Sequence, residues 1–282
     1  MSLDKILPLE GPSKSEVEKY LKKYTNEVIV IKFGGSVLEE PDLLKTLIND
    51  ISVLKKLNFN PIIVHGGGKK ISAKLRSLNI ESEFIEGSRV TTSETIKIIE
   101  DVLVELNHKI VSFLDKKSCK AKVFNSKNNN IINVTQESAK LGFVGRPKEI
   151  KVNILKNSLK ADIVPVVAPL GLDNYDYIYN INADSVAGFI AQKLNARRLI
   201  IISDVKGVLD EKLNLISEIN SSQVNDLIKK KIISGGMIPK VKNCVDVAIN
   251  GVKGVVIIDG RKKHSVLFEL LSDKGSGTLI RK

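Results

Sequence analysis

Two glycine-rich turns carry the residue types best suited to bind a small anion in this sequence of 282 residues. Residues 32–36 read KFGGS and residues 65–69 read HGGGK, and each segment follows an apolar run. Glycine allows the main chain to approach a ligand closely, and N–H groups at the start of a following helix attract negative charge. Lys32 adds a cation at the end of its strand. Together the turns favour a phosphate-sized site over two ordinary strand-to-helix connections.

Three polar segments elsewhere in the chain are suited to complete such a site. Arg89 follows a short extended stretch, and an arginine fork can hold both oxygens of a carboxylate. Residues 180–184 (NINAD) place two amides and a carboxylate where a strand gives way to a helix. Residues 204–207 (DVKG) form another turn after a strongly apolar strand. Taken singly, Arg89 is also explained as a surface residue and Asp184 as a favourable charge at a helix start.

The commonest nucleotide and metal motifs do not occur in the sequence. Neither GxxxxGK[ST] nor GxGxxG is present, so phosphate would be bound without the two usual loops. Cys119 and Cys244 are far apart and not in a metal-ligand spacing, which fits reduced thiols in the cytoplasm better than a disulfide framework. We therefore expect no metal ion held by the protein itself.

The order of apolar runs, glycine turns and amphipathic segments predicts the fold class. Repeated strand–glycine–helix units are typical of an α/β protein with a mostly parallel sheet and helices on both faces. Short alternating runs in residues 119–157 predict hairpins instead of βαβ units. Residues 14–24 predict a short helix, because Ser13 and Glu16 form a capping-box pattern ahead of an apolar stripe. That stripe needs a partner, either in its own domain or in another subunit.

Composition limits the partners. Hydrophobic residues make up 43% of the chain, but no apolar run reaches the ~18 residues of a membrane span, and no secretory signal is recognisable at the N-terminus. The net charge of +12 suits either nucleic acid or a small anionic ligand. Aromatic residues are only 5%, which offers no stacking platform for bases. We expect a cytoplasmic protein with a small anionic ligand and with neither nucleic acid nor a membrane as partner.

Six segments in order along the chain resemble the amino acid kinase family. They are KFGGS at 32–36, HGGG at 65–68, SRVT at 88–91, NINAD at 180–184, SDVKGV at 203–208 and GMIPK at 236–240. The resemblance covers residues 27–282 and implies a three-layer α/β sandwich with a central, mostly parallel sheet between helices. It divides that domain into a substrate-binding and dimer lobe at about 27–170 and a nucleotide-binding lobe at about 171–282. Residues 1–26 would be an arm and helix used for oligomerisation.

Within the family, the resemblance is to the branch that acts on N-acetyl-L-glutamate in L-arginine biosynthesis. It implies ATP-dependent phosphorylation of the side-chain carboxylate, with Mg²⁺ held mainly by ATP. A carboxylate has a pKa of about 4.3 and is already ionised near neutral pH. The reaction then needs alignment and charge neutralisation more than a general base.

The resemblance also assigns roles to residues. Lys32 and Lys240 would flank the transferring phosphoryl group and Asp184 would hold them in place. The substrate would be bound by Gly67, Gly68, Arg89 and Asn180. The nucleotide would be bound by Gly34, Gly35, Asp204, Val205, Lys206, Gly207, Val208, Leu209, Gly235, Gly236, Met237 and Lys240. Ser88, Thr92, Arg146 and Lys206 depart from the usual pattern, which affects the substrate side more than the phosphoryl site.

A further resemblance is to the arginine-inhibited, hexameric members of the family. It implies L-arginine as a feedback inhibitor bound near Tyr20, His264, Glu269 and Gly275. It also implies a dimer assembled into a trimer of dimers through the N-terminal helices, and a PII-type signalling protein as a further candidate partner. The competing interpretation is a solvated Glu269 and an ordinary glycine turn.

Two other functions compete with this reading. One is a sister kinase acting on aspartate, carbamate, glutamate or uridylate, against which the triple glycine at 66–68 and the NINAD segment argue. The other is a non-catalytic arginine-binding regulator with the same fold. Retention of Lys32, Asp184 and Lys240 favours an enzyme.

Overall fold

A computed structural model describes residues 3–282 of the chain. Met1 and Ser2, the start of the predicted arm, lie outside the described residues. The strands are β1 (Val28–Phe33), β2 (Asn60–His65), β3 (Phe84–Ile85), β4 (Ser88–Arg89), β5 (Ala121–Phe124), β6 (Ile132–Gln136), β7 (Val144–Ile150), β8 (Val164–Val167), β9 (Leu170–Leu172), β10 (Ile178–Ile181), β11 (Arg198–Ser203), β12 (Glu218–Asn220), β13 (Val255–Asp259) and β14 (Gly277–Arg281). The helices are α1 (Lys14–Tyr24), α2 (Gly35–Glu39), α3 (Pro41–Lys56), α4 (Gly68–Ser77), α5 (Thr95–Asp115), α6 (Val152–Lys160), α7 (Ala183–Lys193), α8 (Val224–Lys229), α9 (Met237–Ile249) and α10 (Ser265–Leu271).

The main sheet has eight strands in the order β12-β14-β13-β11-β1-β2-β8-β5. Across residues 3–282, every neighbouring pair in this sheet is parallel except β13 with β14. Strand β1 lies in the middle, with Val30 paired to Ile62 of β2 and to Leu199 of β11. The predicted mostly parallel sheet is confirmed.

Alternating residues of the central strand pack into two separate hydrophobic cores, one on each face of the sheet. Ile29 and Ile31 of β1 belong to a core packed under α1, α3 and α10, while Val30 belongs to a core packed under α7 and α9. Side chains in a strand alternate between faces, and parallel strands buried on both faces read as unbroken apolar runs. The three-layer α/β class predicted from the sequence is therefore observed.

The segment predicted as hairpins is only partly so. Strands β6 and β7 do form an antiparallel pair and close a small barrel with β9 and β10. In contrast, β5 joins the edge of the main sheet parallel to β8, and residues 152–160 form helix α6. The prediction was wrong for β5 because this strand has only four residues, of which one is buried, two are partly buried and one is exposed. Its alternation therefore resembles that of a hairpin strand.

The predicted N-terminal helix is present as α1 and begins with the predicted capping box between Ser13 and Glu16. Val17 is fully buried in the core that α1 shares with α10. Of the two partners that the sequence left open, the chain's own domain is the one observed here. No helix within residues 3–282 is both long and apolar enough to cross a membrane.

Candidate active site

A cavity of about 240 Å³ lies at the carboxyl ends of β1 and β2, where the two glycine-rich turns meet. Ligands of open α/β sheets bind at this edge. Predicted catalytic, substrate and nucleotide residues line it together: Lys32, Gly34, Gly35, Gly67, Gly68, Arg89, Asn180 and Asp184. The volume is slightly below the ~300 Å³ lower bound of typical small-molecule pockets. The cavity therefore suits a small metabolite, and a nucleotide needs further space.

The carboxylate of Asp184 bridges two lysines that come from distant parts of the chain. Its Oδ1 lies 2.7 Å from Nζ of Lys32, and its Oδ2 accepts a hydrogen bond of 2.8 Å from Nζ of Lys240. Burial by itself raises the pKa of Asp184, but the charges of Lys32 and Lys240 outweigh it and lower the pKa to about 2. The carboxylate is consequently ionised at any physiological pH and fixes two ammonium groups beside the cavity.

The start of α7 explains why Asp184 is held so firmly. Asn182 is the N-cap of this helix, and its side-chain oxygen accepts hydrogen bonds from the main-chain N–H groups of Asp184 (2.8 Å) and Ser185 (3.3 Å). An Asn cap satisfies N–H groups that the helix leaves free. The family resemblance gives Asn182 no role of its own, although the pattern Asn-x-Asp before a small-residue helix is a recognisable cap signal.

The first glycine turn is locked to the loop after β11. Gly35 has φ of +50°, and a Cβ at this position would lie 2.9 Å from Oδ2 of Asp204. The hydroxyl of Ser36 donates a 2.5 Å hydrogen bond to Oδ1 of Asp204. Glycine at 35 is thus required by both conformation and space. Ser36 was not singled out from the sequence, since its partner is 168 residues away.

The second glycine turn is fixed by a buried polar network. His65 is fully buried, and burial lowers its pKa to about 4, so the ring is neutral. Its Nδ1 donates to the carbonyl of Gly66 (2.9 Å), and its Nε2 accepts from the amide of Asn107 (3.1 Å). Asn107 also donates to the carbonyl of Val166 and accepts from Asn125. His65 therefore has a structural role.

Asn107→Leu is expected to destabilise the fold by about 3–5 kcal/mol, because it leaves three buried polar partners unsatisfied at ~1–3 kcal/mol each. The melting temperature should fall by at least about 6 °C. His108→Leu is the matched control, since His108 is exposed on the same helix and makes one 3.3 Å contact to Asn128. Thermal unfolding of both variants measures the difference, and equal melting temperatures would show that the network carries no stability.

Arg89 is positioned on β4 by polar groups from α4 and the β3 region. Its guanidinium donates to the hydroxyl of Ser82, to Oγ of Ser72 (2.8 Å) and to the carbonyl of Gly68 (3.2 Å). It also lies 4.6 Å from the ring centre of Phe84. The side chain is thus buried and oriented before any ligand arrives. Ser72, Ser82 and Phe84 were missed in the sequence because each is an ordinary residue until Arg89 is placed beside it.

A second cavity, of about 410 Å³, is lined by part of the predicted nucleotide site. Val205, Gly207, Val208, Leu209 and Met237 line it. The other predicted nucleotide residues lie elsewhere. Gly34 and Gly35 face the first cavity, and Asp204 contacts Ser36. Lys206 is exposed, and Gly235 and Gly236 form an open, exposed turn before α9. Lys240 lies near the start of α9 and so joins this turn to Asp184.

The residues predicted to bind arginine contact different partners. Tyr20 donates a 2.7 Å hydrogen bond to Asp273. Glu269 is partly buried, accepts a 2.8 Å hydrogen bond from the N–H of Ser276 and lies against Gly275; burial raises its pKa. His264 instead contacts Asp50 of α3 at 2.6 Å, beside a cavity of only about 10 Å³. His264 and Glu269 thus contact different elements of the fold.

The contact between His264 and Asp50 predicts a pH dependence of stability. Burial raises the pKa of Asp50 from 3.8 to about 6, and the Asp50 contact raises the pKa of His264 above 6.5. With both values raised, the folded chain binds more protons than the unfolded chain, from about pH 4 up to the raised pKa of His264. The stabilisation by the pair is complete at the acidic end and is lost as the pH rises through the folded pKa of His264.

Melting temperature against pH tests this for the wild type and for Asp50→Asn. Relative to that variant, the wild-type melting temperature should fall by a few degrees, on the order expected for one or two kcal/mol, between pH 5 and pH 8. Asp42→Asn, at an exposed position of the same helix, should follow the wild type. Parallel curves for the wild type and Asp50→Asn would contradict the prediction.

Within residues 3–282, no group of three or more His, Cys, Asp or Glu side chains is arranged to hold a metal ion. The two carboxylates nearest the glycine turns already have partners. Asp184 is bound by two lysines, and Asp204 by Ser36 and, at 3.7 Å, by Lys69. Mg²⁺ keeps most of its ligands as water and phosphate oxygens. This donor set fits an ion that arrives with a nucleotide.

Comparison with known proteins agrees with this architecture. A model of the amino acid kinase family matches residues 27–259. The acetylglutamate kinase of Pelagibacter ubique is 63% identical over 98% of this chain and 96% of its own, and that of Zymomonas mobilis is 38% identical over 99% and 97%. Among solved structures, a carbamate kinase from Giardia lamblia bound to AMP-PNP has a TM-score of 0.67 at 17% identity, covering 91% of this chain and 99% of its own. An N-acetylglutamate synthase from Neisseria gonorrhoeae complexed with coenzyme A and N-acetyl-glutamate has a TM-score of 0.87 at 19% identity over 95% of this chain, which spans 62% of that protein. These two structures share the fold.

Proposed function

Because the chain belongs to the amino acid kinase family and is a phosphotransferase of the acetylglutamate kinase group, we propose that it transfers the γ-phosphoryl group of ATP to the side-chain carboxylate of N-acetyl-L-glutamate. The product is an acyl phosphate, N-acetyl-L-glutamyl 5-phosphate, on the route to L-arginine. The observation that carries the proposal is Asp184 holding Lys32 and Lys240, from opposite halves of the chain, beside a cavity lined by two glycine turns.

The chemistry follows from this arrangement. A carboxylate oxygen attacks the γ-phosphorus, a new O–P bond forms, and the bond from the γ-phosphorus to the bridging oxygen breaks so that ADP leaves with its electron pair. No proton is removed, since the carboxylate is ionised. Lys32 and Lys240 neutralise charge on the moving group, which is the main demand of phosphoryl transfer. Mg²⁺ bound to ATP supplies further neutralisation at the phosphates.

Lys32 and Lys240 each contact one oxygen of Asp184, Lys32 at 2.7 Å from Oδ1 and Lys240 at 2.8 Å from Oδ2. An ammonium group has three N–H donors, so each lysine keeps donors for the phosphoryl oxygens or for substrate. We assign both lysines the same charge role, and Asp184 the role of fixing their positions.

The two cavities support a division of labour between substrate and nucleotide. In the first cavity, the buried, pre-oriented fork of Arg89 suits the α-carboxylate of the substrate, with Asn180 and the N–H groups of Gly67 and Gly68 as further donors. The second cavity suits the adenosine part of ATP. The second cavity is lined only by residues 205–237, which supports the proposed nucleotide lobe at about 171–282. Most residues that line the first cavity belong to the proposed substrate lobe at about 27–170, and residues 180–184 complete it from the other lobe.

Trapping of the acyl phosphate with hydroxylamine tests the activity. With ATP and Mg²⁺ present, N-acetyl-L-glutamate should give hydroxamate, while glutamate, aspartate and carbamate should give little. The acetamide group distinguishes the first from free glutamate, which carries an ammonium group that the basic cavity disfavours. Strong signal with aspartate or glutamate alone would assign the chain to a sister activity and overturn the substrate proposed here.

We also propose feedback inhibition by L-arginine near Glu269, Tyr20 and Gly275. What supports it is the partly buried carboxylate of Glu269, which lies close to Lys23 of α1 and suits a guanidinium group. His264 would act indirectly, through Asp50 and the start of α10. Glu269→Gln should remove inhibition without lowering uninhibited turnover, and a flat arginine dose–response for the wild type to millimolar concentration would refute the site.

Assembly into a dimer and then a trimer of dimers through α1 belongs to the same proposal, as does relief of inhibition by a PII-type protein. Sedimentation velocity of the full chain and of the double variant Glu18→Arg with Lys22→Glu, which changes two exposed residues of α1, tests the first. A hexamer that falls to dimers in the variant would support assembly through α1. A wild-type monomer would contradict it.

A further inference from the structure

A further cavity, of about 490 Å³, lies where α2, α3 and α5 meet beside α4 and shares no lining residue with the three cavities described above. Its floor is apolar and is formed by Leu38, Leu44, Ile48 and Phe113. Its rim carries Lys45, Lys70, Lys109, Lys116 and Lys117. We call this the lysine-rimmed groove. Its volume is within the ~300–1,000 Å³ range of small-molecule sites.

The rim has a strong excess of positive charge. Glu39 is the one carboxylate among its lining residues and lies 3.9 Å from Lys70, so it offsets one of five cations. Lys109 and Lys116 flank the aromatic part of the floor, each with Nζ 5.8 Å from the ring centre of Phe113. Lysine stems extend the apolar surface while their ammonium groups stay in water. An apolar floor and a cationic rim are thus combined within a few ångströms.

We propose that the lysine-rimmed groove binds an amphiphilic anion, a compact aliphatic or aromatic body that carries one carboxylate-like group. The apolar floor offers a highly polar metabolite no hydrogen-bond partners, and burying such groups unpaired is costly. The rim repels cations and attracts a single anionic head group. The proposal does not depend on the reaction assigned above, because it concerns residues outside both of its cavities.

An occupant of the groove would contact the backs of the helices that carry the glycine turns. Helix α2 begins at Gly35 and α4 begins at Gly68, while α5 supplies Leu103 and Leu106 against Gly67. All three helices border both the groove and the first cavity. Binding there therefore has a direct packing route to the turns, which makes this ligand class a candidate effector.

Fluorescence titration with 8-anilinonaphthalene-1-sulfonate, an aromatic sulfonate, tests the binding directly. ATP and Mg²⁺ are kept saturating so that the probe does not report on the nucleotide site. We expect one saturable site per chain. The double variant Lys109→Glu with Lys116→Glu should weaken the probe at least tenfold. The matched control is Lys122→Glu with Lys193→Glu, which reverses two exposed lysines that also lie over aromatic rings, at 5.8 and 5.2 Å, outside the groove; it should bind the probe within twofold of wild type.

Displacement then tests the chemistry of the ligand. Decanoate should displace the probe, and decanol should do so at least tenfold less well, because only decanoate carries the anionic head group. Equal weakening by the two double variants, equal displacement by decanoate and decanol, or no saturable site at all would each overturn the proposal. The last result, together with a change of oligomeric state in the Lys109/Lys116 variant, would assign the groove to contact with a second copy of the chain.

Discussion

Replacing Lys240 with alanine is expected to lower kcat by about 10²- to 10³-fold, the loss typical when one preorganised charge is removed from a site of charge development. Lys240 contacts Asp184 at 2.8 Å and lies beside the proposed path of the phosphoryl group. Asp184 keeps Lys32 as its partner in the variant, so the fold should survive. KM for the carboxylate substrate should change much less than kcat, since the lost interaction is strongest in the transition state.

Lys242→Ala is the matched control for this variant. Lys242 lies on the same helix, two residues later, and is exposed. It should keep kcat within about twofold of wild type, and melting temperatures of both variants should show that neither is unfolded. If Lys240→Ala retained a kcat within about threefold of wild type, the two-lysine account of the transfer step would fail.

Replacing Arg89 with lysine is expected to raise KM for N-acetyl-L-glutamate by about 10- to 100-fold while kcat changes little. A hydrogen bond to a charged group contributes about 1.5–3 kcal/mol, which corresponds to this range. Lysine keeps the charge but loses the fork that matches a carboxylate. The α-carboxylate, which Arg89 is proposed to bind, does not react. Loss of this contact should therefore weaken binding of the ground state and of the transition state equally.

Arg76→Lys, at an exposed position near the end of α4, controls for the loss of an arginine outside the first cavity and should leave KM unchanged. Steady-state rates over a range of substrate concentrations separate the two parameters. A variant Arg89→Lys with unchanged KM would place the α-carboxylate elsewhere. A fall in kcat alone would indicate that Arg89 acts on the transferring group instead.

The local features of the fold were predictable because their causes are local. The central strand β1 and its glycine turn follow from a run of β-branched residues and two glycines, and α1 follows from Ser13 and Glu16. Strand β5 was predicted wrongly, because its pairing with β8 is about 40 residues away and its four residues carry little periodicity. Sequence patterns predict those elements whose signals lie within a few residues of one another.

Sequence patterns alone predicted the candidate site less completely than they predicted the fold. The contact of Lys240 with Asp184 spans 56 residues, and only the resemblance to a family linked the two positions. The polar network around Asn107 was missed entirely, since its partners His65 and Asn125 lie 42 and 18 residues away and none is unusual in a helix or turn. His264 was grouped with Glu269 by resemblance, and its actual partner, Asp50, lies 214 residues away.

The low pKa of Asp184, about 2, sets which group controls the acid limb of the pH–rate profile. The enzyme's own charge arrangement stays intact well below pH 4, because the carboxylate between its two lysines does not take up a proton there. The nucleophile, with a pKa near 4.3, is protonated first. Loss of turnover on acidification should therefore report protonation of the two substrates, ATP and the carboxylate, and not of Asp184. With ATP and Mg²⁺ saturating, a substrate analogue with a more acidic carboxyl group should extend activity to lower pH.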